Sequence, residues 1–155
     1  MARIAVSAER TIKAPAATVY GYIADEREHH PRFLPPAFSD LQVEQGGVGA
    51  GTIMRFRLTA GGRTRHYRVQ VDEPEPGRVL TESDTESSMV TKFTVTPQDS
   101  ASLVRIESSW DGASGVGGFF ERIFAPRAVR GLLSDELTRL DAYARGQQEA
   151  GPAAT

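Results

Sequence analysis

Apolar residues in this chain recur in two rhythms. In most of the stretch between Ile4 and Trp110 they alternate with polar residues, the period-two signature of strands with one buried face. From Phe119 to Tyr143 they return every three or four residues, the signature of an amphipathic helix. "IAVSAERTI" sets Ile4, Val6, Ala8, Arg10 and Ile12 against more polar neighbours, which predicts a first strand with one interruption, Arg10, on its apolar face. Pro15 ends that strand. It also opens a short helix through "APAATVYGYIADERE", with Val19, Tyr20 and Ile23 at helical spacing and an end near Asp25. A second helical turn is predicted in "EHHPRFLPP", bounded by Pro35 and Pro36.

From residue 38 to 111 every signal is strand or turn. In "GTIMRFRLTAGGRTRHYRVQV" Gly61 and Gly62 predict a two-residue hairpin turn. Leu58 then faces Arg65, Phe56 faces Tyr67 and Met54 faces Val69 on one side of the ribbon. Arg57 with His66 and Arg55 with Arg68 occupy the other side. This register separates apolar from charged residues, and a slip of one residue would invert both faces. Further strands are predicted at "RVLTES", "SMVTKFTVT" and "SLVRIESSW". Met89, Thr91, Phe93 and Val95 share one face, and Val104, Ile106, Ser108 and Trp110 another.

The C-terminal helix is predicted to bury Phe119, Phe120, Ile123, Phe124, Val129, Leu132, Leu133, Leu137, Leu140 and Tyr143. Glu121, Arg122, Arg127, Arg130, Asp135, Glu136 and Arg139 are assigned to its solvent face, and Pro126 predicts a break near Ala125. A strand, two short helices, an unbroken run of antiparallel strands and one long helix make an α+β protein, with the sheet wrapped around that helix.

Composition narrows the picture. The 155 residues suit one domain, placed at residues 1–145, with the small polar stretch from Gly146 to Thr155 as a flexible tail. A formal net charge of -2 gives no overall pull toward nucleic acid or an anionic membrane. The absence of cysteine excludes disulfides, thiolate metal sites and a cysteine nucleophile. Glu9, Arg10 and Lys13 interrupt the first residues where a signal peptide would need an apolar run, so cytoplasmic residence is expected.

Element order and several phrases together resemble the START/Bet v 1-like (SRPBCC) superfamily, and within it the polyketide cyclase/dehydrase and lipid-transport family. The phrases are "IKAPAATVYGYIAD", "HHPRFLPPAFSDLQV", "GVGAGTIMRFRL", "EPEPGRVL" and "LSDELTRLDAYA", and the resemblance spans about residues 2 to 145. It implies a helix-grip fold, a curved antiparallel sheet of about seven strands holding the C-terminal helix across an elongated apolar cavity. The same fold serves carriers, cyclases and other functions, so it does not choose among them.

On that fold the inward-facing set Met54, Phe56, Arg65, Tyr67, Met89, Thr91, Phe93, Ile106, Ser108, Trp110, Phe120 and Phe124 would line the cavity. Apolar walls with sparse polar groups suit a ligand pocket, and equally a filled core. Arg65 stands on the apolar face by parity. Near a strand end it is expected to snorkel to solvent; held inside, it would need an anionic or carbonyl partner such as a ligand carboxylate or enolate. His29 and His30, with no partner evident nearby in sequence, read as a solvated helix end rather than a general acid or base.

Three histidines at 29, 30 and 66 do not make a spaced ligand set, so no metal is assigned, and no cofactor is expected. Ser108 lacks a histidine at readable spacing and a nucleophile elbow. Arg55, Arg57, Arg63, Arg68 and His66 form a basic stripe that Glu44 or Asp72 would neutralise. The glycines of "GASGVGGFF" lack the lysine of a phosphate loop; Gly115, Gly117 and Gly118 would instead gate the pocket.

The sequence therefore favours binding or transport of a hydrophobic small molecule, whether lipid, polyketide-like aromatic or isoprenoid, by a monomer or weak dimer. No nucleic acid partner and no stable membrane insertion are expected. An alternative is a polyketide cyclase or dehydratase drawing on Arg65, Tyr67, Ser108, Thr91 and Glu82, although parity leaves the buried face of the Glu82 strand open and no residue is assigned as catalytic. A regulatory or partner-binding protein working through its basic hairpin face is the third reading.

Overall fold

The computed structural model describes residues 3–60, 62–111 and 126–150. Seven antiparallel strands form one sheet: β1 (Arg3–Ile12), β2 (Phe38–Gln45), β3 (Ile53–Ala60), β4 (Arg63–Glu75), β5 (Val79–Asp84), β6 (Val90–Gln98) and β7 (Ala101–Asp111). Their spatial order, β1-β7-β6-β5-β4-β3-β2, is a meander closed by β1 against β7. Helix α1 (Ala16–Ala24), a 3₁₀ turn (His30–Phe33) and the long helix α2 (Pro126–Ala150) complete the described elements. This is the curved helix-grip architecture the sequence predicts. Among the described residues, no helix is long and apolar enough to cross a membrane.

The hairpin register is the expected one. Leu58 pairs with Arg65, Phe56 with Tyr67 and Met54 with Val69, and Ala60 pairs with Arg63 across the two-residue turn, where Gly62 takes a φ of +76°. Burial alternates along β7 so that Val104, Ile106, Ser108 and Trp110 all point inward. α2 lays Val129, Leu133, Leu137, Leu140 and Ala144 against the sheet, at the three- and four-residue steps of one helical stripe.

Arg10, the interruption on the apolar face of β1, meets Asp141 of α2 at 3.3 Å. Asp141 is itself buried, and it also accepts from the backbone N–H of Lys13 and from Arg145. A charged residue thus ties the edge strand to the helix where an apolar one would only pack. Pro126 is the first residue of α2, where its missing N–H costs nothing. The expected break near Ala125, and Phe119, Phe120, Ile123 and Phe124, lie outside the described residues, as do Gly115, Gly117 and Gly118. α2 continues past Gly146, where the tail was expected to start, as far as Ala150. One exposed glycine lowers helix propensity by only about 1 kcal/mol, too little to stop a helix anchored upstream.

Candidate functional site

One of the expectations above is corrected by the turn that follows α1. Asp25 leaves the helix in an extended conformation, and its carboxylate accepts the backbone N–H groups of Arg27 (3.0 Å) and Glu28 (2.9 Å). The N–H of His30 returns to the Asp25 carbonyl at 2.8 Å. This tight turn aims both Glu26 and His30 inward. His30 is 2% exposed and Glu26 1% exposed, so His30 is a buried residue rather than a solvated helix end. Phe33 stacks on the imidazole at 4.8 Å between centroids, and Phe93 meets it edge-on at 5.5 Å.

His30 is the hub of a buried polar cluster. Its Nδ1 lies 2.8 Å from the Ile23 carbonyl and 3.1 Å from Glu26 Oε1, and its Nε2 lies 3.0 Å from Glu136 Oε2. A carbonyl oxygen can only accept, so Nδ1 carries a proton. Glu82, from the inner face of β5, adds a third carboxyl 3.9 Å from the same nitrogen. Burial alone would pull the imidazole pKa down. The charge of Glu26, then the hydrogen bonds and charge of Glu136, outweigh it and hold the pKa well above the usual histidine range. Glu82 moves upward too, well above the usual carboxylate range, mainly through desolvation and repulsion from Glu26.

Glu136 is the second correction: the sequence pattern assigned it to the solvent face of α2, and it is 4% exposed. It follows Leu133 by three residues and precedes Leu140 by four, which puts it on the buried stripe. That spacing was the available signal, just as the four-residue step from Glu26 to His30 was the signal for the histidine's partner.

The cluster forms part of the wall of a pocket between the concave face of the sheet and α2. The pocket's cavity volume is about 70 Å³; about 880 Å³ lies free of protein atoms when the space open to solvent is counted with it. Of the residues expected to line it, Met54, Phe56, Tyr67, Met89, Thr91, Phe93, Ser108 and Trp110 do so. Sequence reasoning did not assign Leu34, Phe38, Leu41, Asp84, Val129, Leu132 and Leu133 to the wall; together with Leu58, Val69, Glu26, His30, Glu82 and Glu136 they make up the rest of it among the described residues. Leu34, Phe38 and Leu41 also border a surface groove beside Pro31, Pro35 and Pro36.

Polar groups cross the sheet in one row: Glu82 pairs with Thr91, Thr91 with Ser108, and the two hydroxyls lie 2.8 Å apart. Ile106 is fully buried in the core and does not border the pocket. Arg65 is also absent from the wall. Its expected escape to solvent is corrected: the side chain is 14% exposed, pairs with buried Asp84 at 3.2 Å and lies over the Tyr67 ring at 4.8 Å. Desolvation raises the Tyr67 pKa, so its phenol stays protonated.

Outside the pocket, three arginines of the basic stripe meet acids, two of them the expected Glu44. Arg55 and Arg68 both bond Glu44, and Arg57 pairs with Asp40. The glycine loop before β3 closes on a carboxylate of the chain itself: Glu73 accepts the N–H of Ala50 at 2.8 Å and the Tyr20 hydroxyl at 2.7 Å. Gly49 stands at φ +71°, and a Cβ there would come within 2.4 Å of Glu73 Oε1. Among the described residues, Glu26, His30 and Glu82 bring potential metal-ligating atoms within 4.8 Å of one another. Nδ1 is already committed as a donor to Ile23, so this set is a poor fit for a metal ion.

The sequence model of the family described as polyketide cyclase / dehydrase and lipid transport matches residues 3–145. The chain belongs to that family. Among solved structures, this family member is similar to KanY protein, with 33% identity over 94% of this chain and 99% of the other and a TM-score of 0.82. It shares its fold with the Zhui aromatase/cyclase from Streptomyces sp. R1128, at 17% identity over 96% of this chain and 94% of that one, with a TM-score of 0.67. A curated relative is pathogenesis-related protein 2 of Petroselinum crispum, 27% identical over 115 residues, covering 68% of this family member and 73% of the relative.

Proposed function

We propose that this protein binds a predominantly apolar small molecule, of the lipid, polyketide-like aromatic or isoprenoid class, in the pocket between the sheet and α2. The observation that carries this reading is the composition of the wall. Met54, Phe56, Met89, Phe93, Trp110 and Leu133 supply apolar and aromatic surface, while the polar groups gather at one cluster, one short row and the Asp84–Tyr67 side of the wall. Apolar walls provide affinity by removing ligand surface from water, and localised polar groups fix orientation. Trp110 is the sole tryptophan of the chain, so its emission reports the pocket directly. Titration with the neutral probe N-phenyl-1-naphthylamine is expected to quench Trp110 saturably at one probe per chain. Absence of quenching throughout the micromolar range would contradict the reading.

The buried cluster favours a second reading, proton transfer on the bound molecule. Carboxyl groups buried among like charges are costly to retain, and groups so perturbed gather at sites of chemistry. Glu82, whose proton is held above the usual carboxylate range, would give it to a ligand carbonyl oxygen while the neighbouring Glu26 carboxylate takes the alpha C–H proton, leaving an enol and the proton count of the two carboxyls unchanged, with His30 balancing the charge. The aromatase/cyclase activity named for one structural neighbour is compatible with such chemistry. Deuterium exchange alpha to the carbonyl of a bound apolar ketone is expected to be accelerated, and to fall by at least about a hundredfold in Glu82→Gln. Exchange no faster than in protein-free buffer would leave binding alone.

A further inference from the structure

The polar groups around the pocket are out of balance in charge. Its described lining contains four carboxyl groups, from Glu26, Glu82, Asp84 and Glu136, one imidazole, from His30, and no lysine or arginine. Arg65 answers Asp84 from outside the wall, and the imidazole lies between Glu26 and Glu136. Glu82 shares the His30 imidazole, 3.9 Å away, and has no second cation among the described residues. Glu26 Oε2 and Glu82 Oε2 are both buried and bond no nitrogen or hydroxyl among the described residues; the contact left to them is with each other, a hydrogen bond that only a proton held between the two carboxyls can make. Glu26, only 1% exposed, thus keeps its second oxygen for that proton or for another donor at the pocket wall.

Resting on the reading that the pocket binds an apolar molecule, we propose that this molecule carries an organic ammonium group, whose N–H donors meet Glu26 and Glu82 while its apolar body lies along the concave face of the sheet. Ligand atoms of the two carboxyls lie within 4.8 Å of each other. Charge-assisted N–H···O bonds of about 2.8 Å allow one nitrogen to bridge that gap. Other headgroups fit worse. A carboxylate ligand adds another negative charge to the pocket. A neutral carbonyl can take the Glu82 proton only by drawing it away from Glu26, and brings no donor in its place. A divalent metal finds Nδ1 of His30 already donating to the Ile23 carbonyl.

The proposal carries a proton signature. Glu82 faces Glu26 from the turn after α1, His30 from the 3₁₀ turn and Glu136 from α2, and in this company it holds its proton to higher pH than an ordinary glutamate. An ammonium replaces that proton as the positive partner. Amine binding therefore releases a proton from the protein, and it weakens as pH falls.

Calorimetry at neutral pH with 4-phenylbutylamine, 4-phenylbutanol and 4-phenylbutanoate separates these cases. The amine is expected to bind about tenfold or more tighter than the alcohol, with the carboxylate weakest. Its heat should vary between buffers of different ionisation enthalpy in the sense of proton release. Glu82→Gln should reduce the amine-to-alcohol affinity ratio about fivefold or more, because an amide offers no charge to the ammonium. Equal or tighter binding of the alcohol or the carboxylate overturns the proposal and leaves the binding reading intact. So does displacement of the amine by Zn²⁺ at equivalent concentration, which would give the carboxylates to a metal. If neither this series nor N-phenyl-1-naphthylamine binds, the pocket reading falls as well.

Discussion

His30 shows how one residue can set the character of a site. Its imidazole is buried between two carboxylates, with a third nearby, on a bed of Phe33. Removing it would strand those charges in a low-dielectric interior, so His30→Ala is expected to lose about 3–5 kcal/mol in denaturant unfolding. The pH dependence follows from the directions of the shifts. His30 is raised above its ordinary 6.5, so its contribution is complete below that value and is lost as pH rises through the folded-state pKa. Glu82 is raised above its ordinary 4.5, so it also favours the folded state at low pH and opposes it as pH rises. Asp141 moves the other way: burial opposes ionisation, but the Lys13 N–H, Arg10 and Arg145 prevail, so its contribution is lost as pH falls through a lowered pKa. Thermal stability should therefore peak in mildly acid solution and decline toward about pH 9. Glu82→Gln should flatten the decline and exceed the parent at about pH 8 by on the order of 1 kcal/mol. A melting temperature that rises from pH 5 to 9, or a variant with the parental slope, would contradict the cluster's assignment.

Among the elements, the strands were the most legible in sequence. The β3–β4 register could be assigned residue by residue because parity and a two-residue glycine turn fix the same alignment independently. Helices carried less information where a polar residue sat on the buried stripe. Glu136 was grouped with solvent-facing charges on account of its type, although its spacing from Leu133 and Leu140 assigns it inward. His30 was obscured differently. Its burial depends on the Asp25-capped turn and on a helix more than a hundred residues away, and local periodicity registers neither. Parity left the inner face of β5 undecided, and it is the β4 and β6 registers, Val71 opposite Glu82 and Glu82 opposite Thr91, that turn Glu82 toward the pocket. The candidate site is thus half legible: its apolar wall follows from alternation along strands, while its charged cluster requires contacts between distant elements.

At the scale of the whole molecule, a meandering sheet closes on one long helix, and a pocket lies between them beside the packed core. Strand alternation faces aromatic and methionine side chains into that space. The turn after α1 and one face of α2 bring acid and imidazole groups to the same wall. Family membership is compatible with either carriage or chemistry, and both depend on one property, occupancy of the pocket by an apolar molecule. Native mass spectrometry of the protein purified from its own cells, followed by solvent extraction, tests that property most directly. The account predicts a stoichiometric small-molecule adduct that is lost when Trp110 is truncated to alanine in a protein that still folds. A protein that travels without an adduct and takes up none from a panel of apolar amines, alcohols and lipids would contradict it.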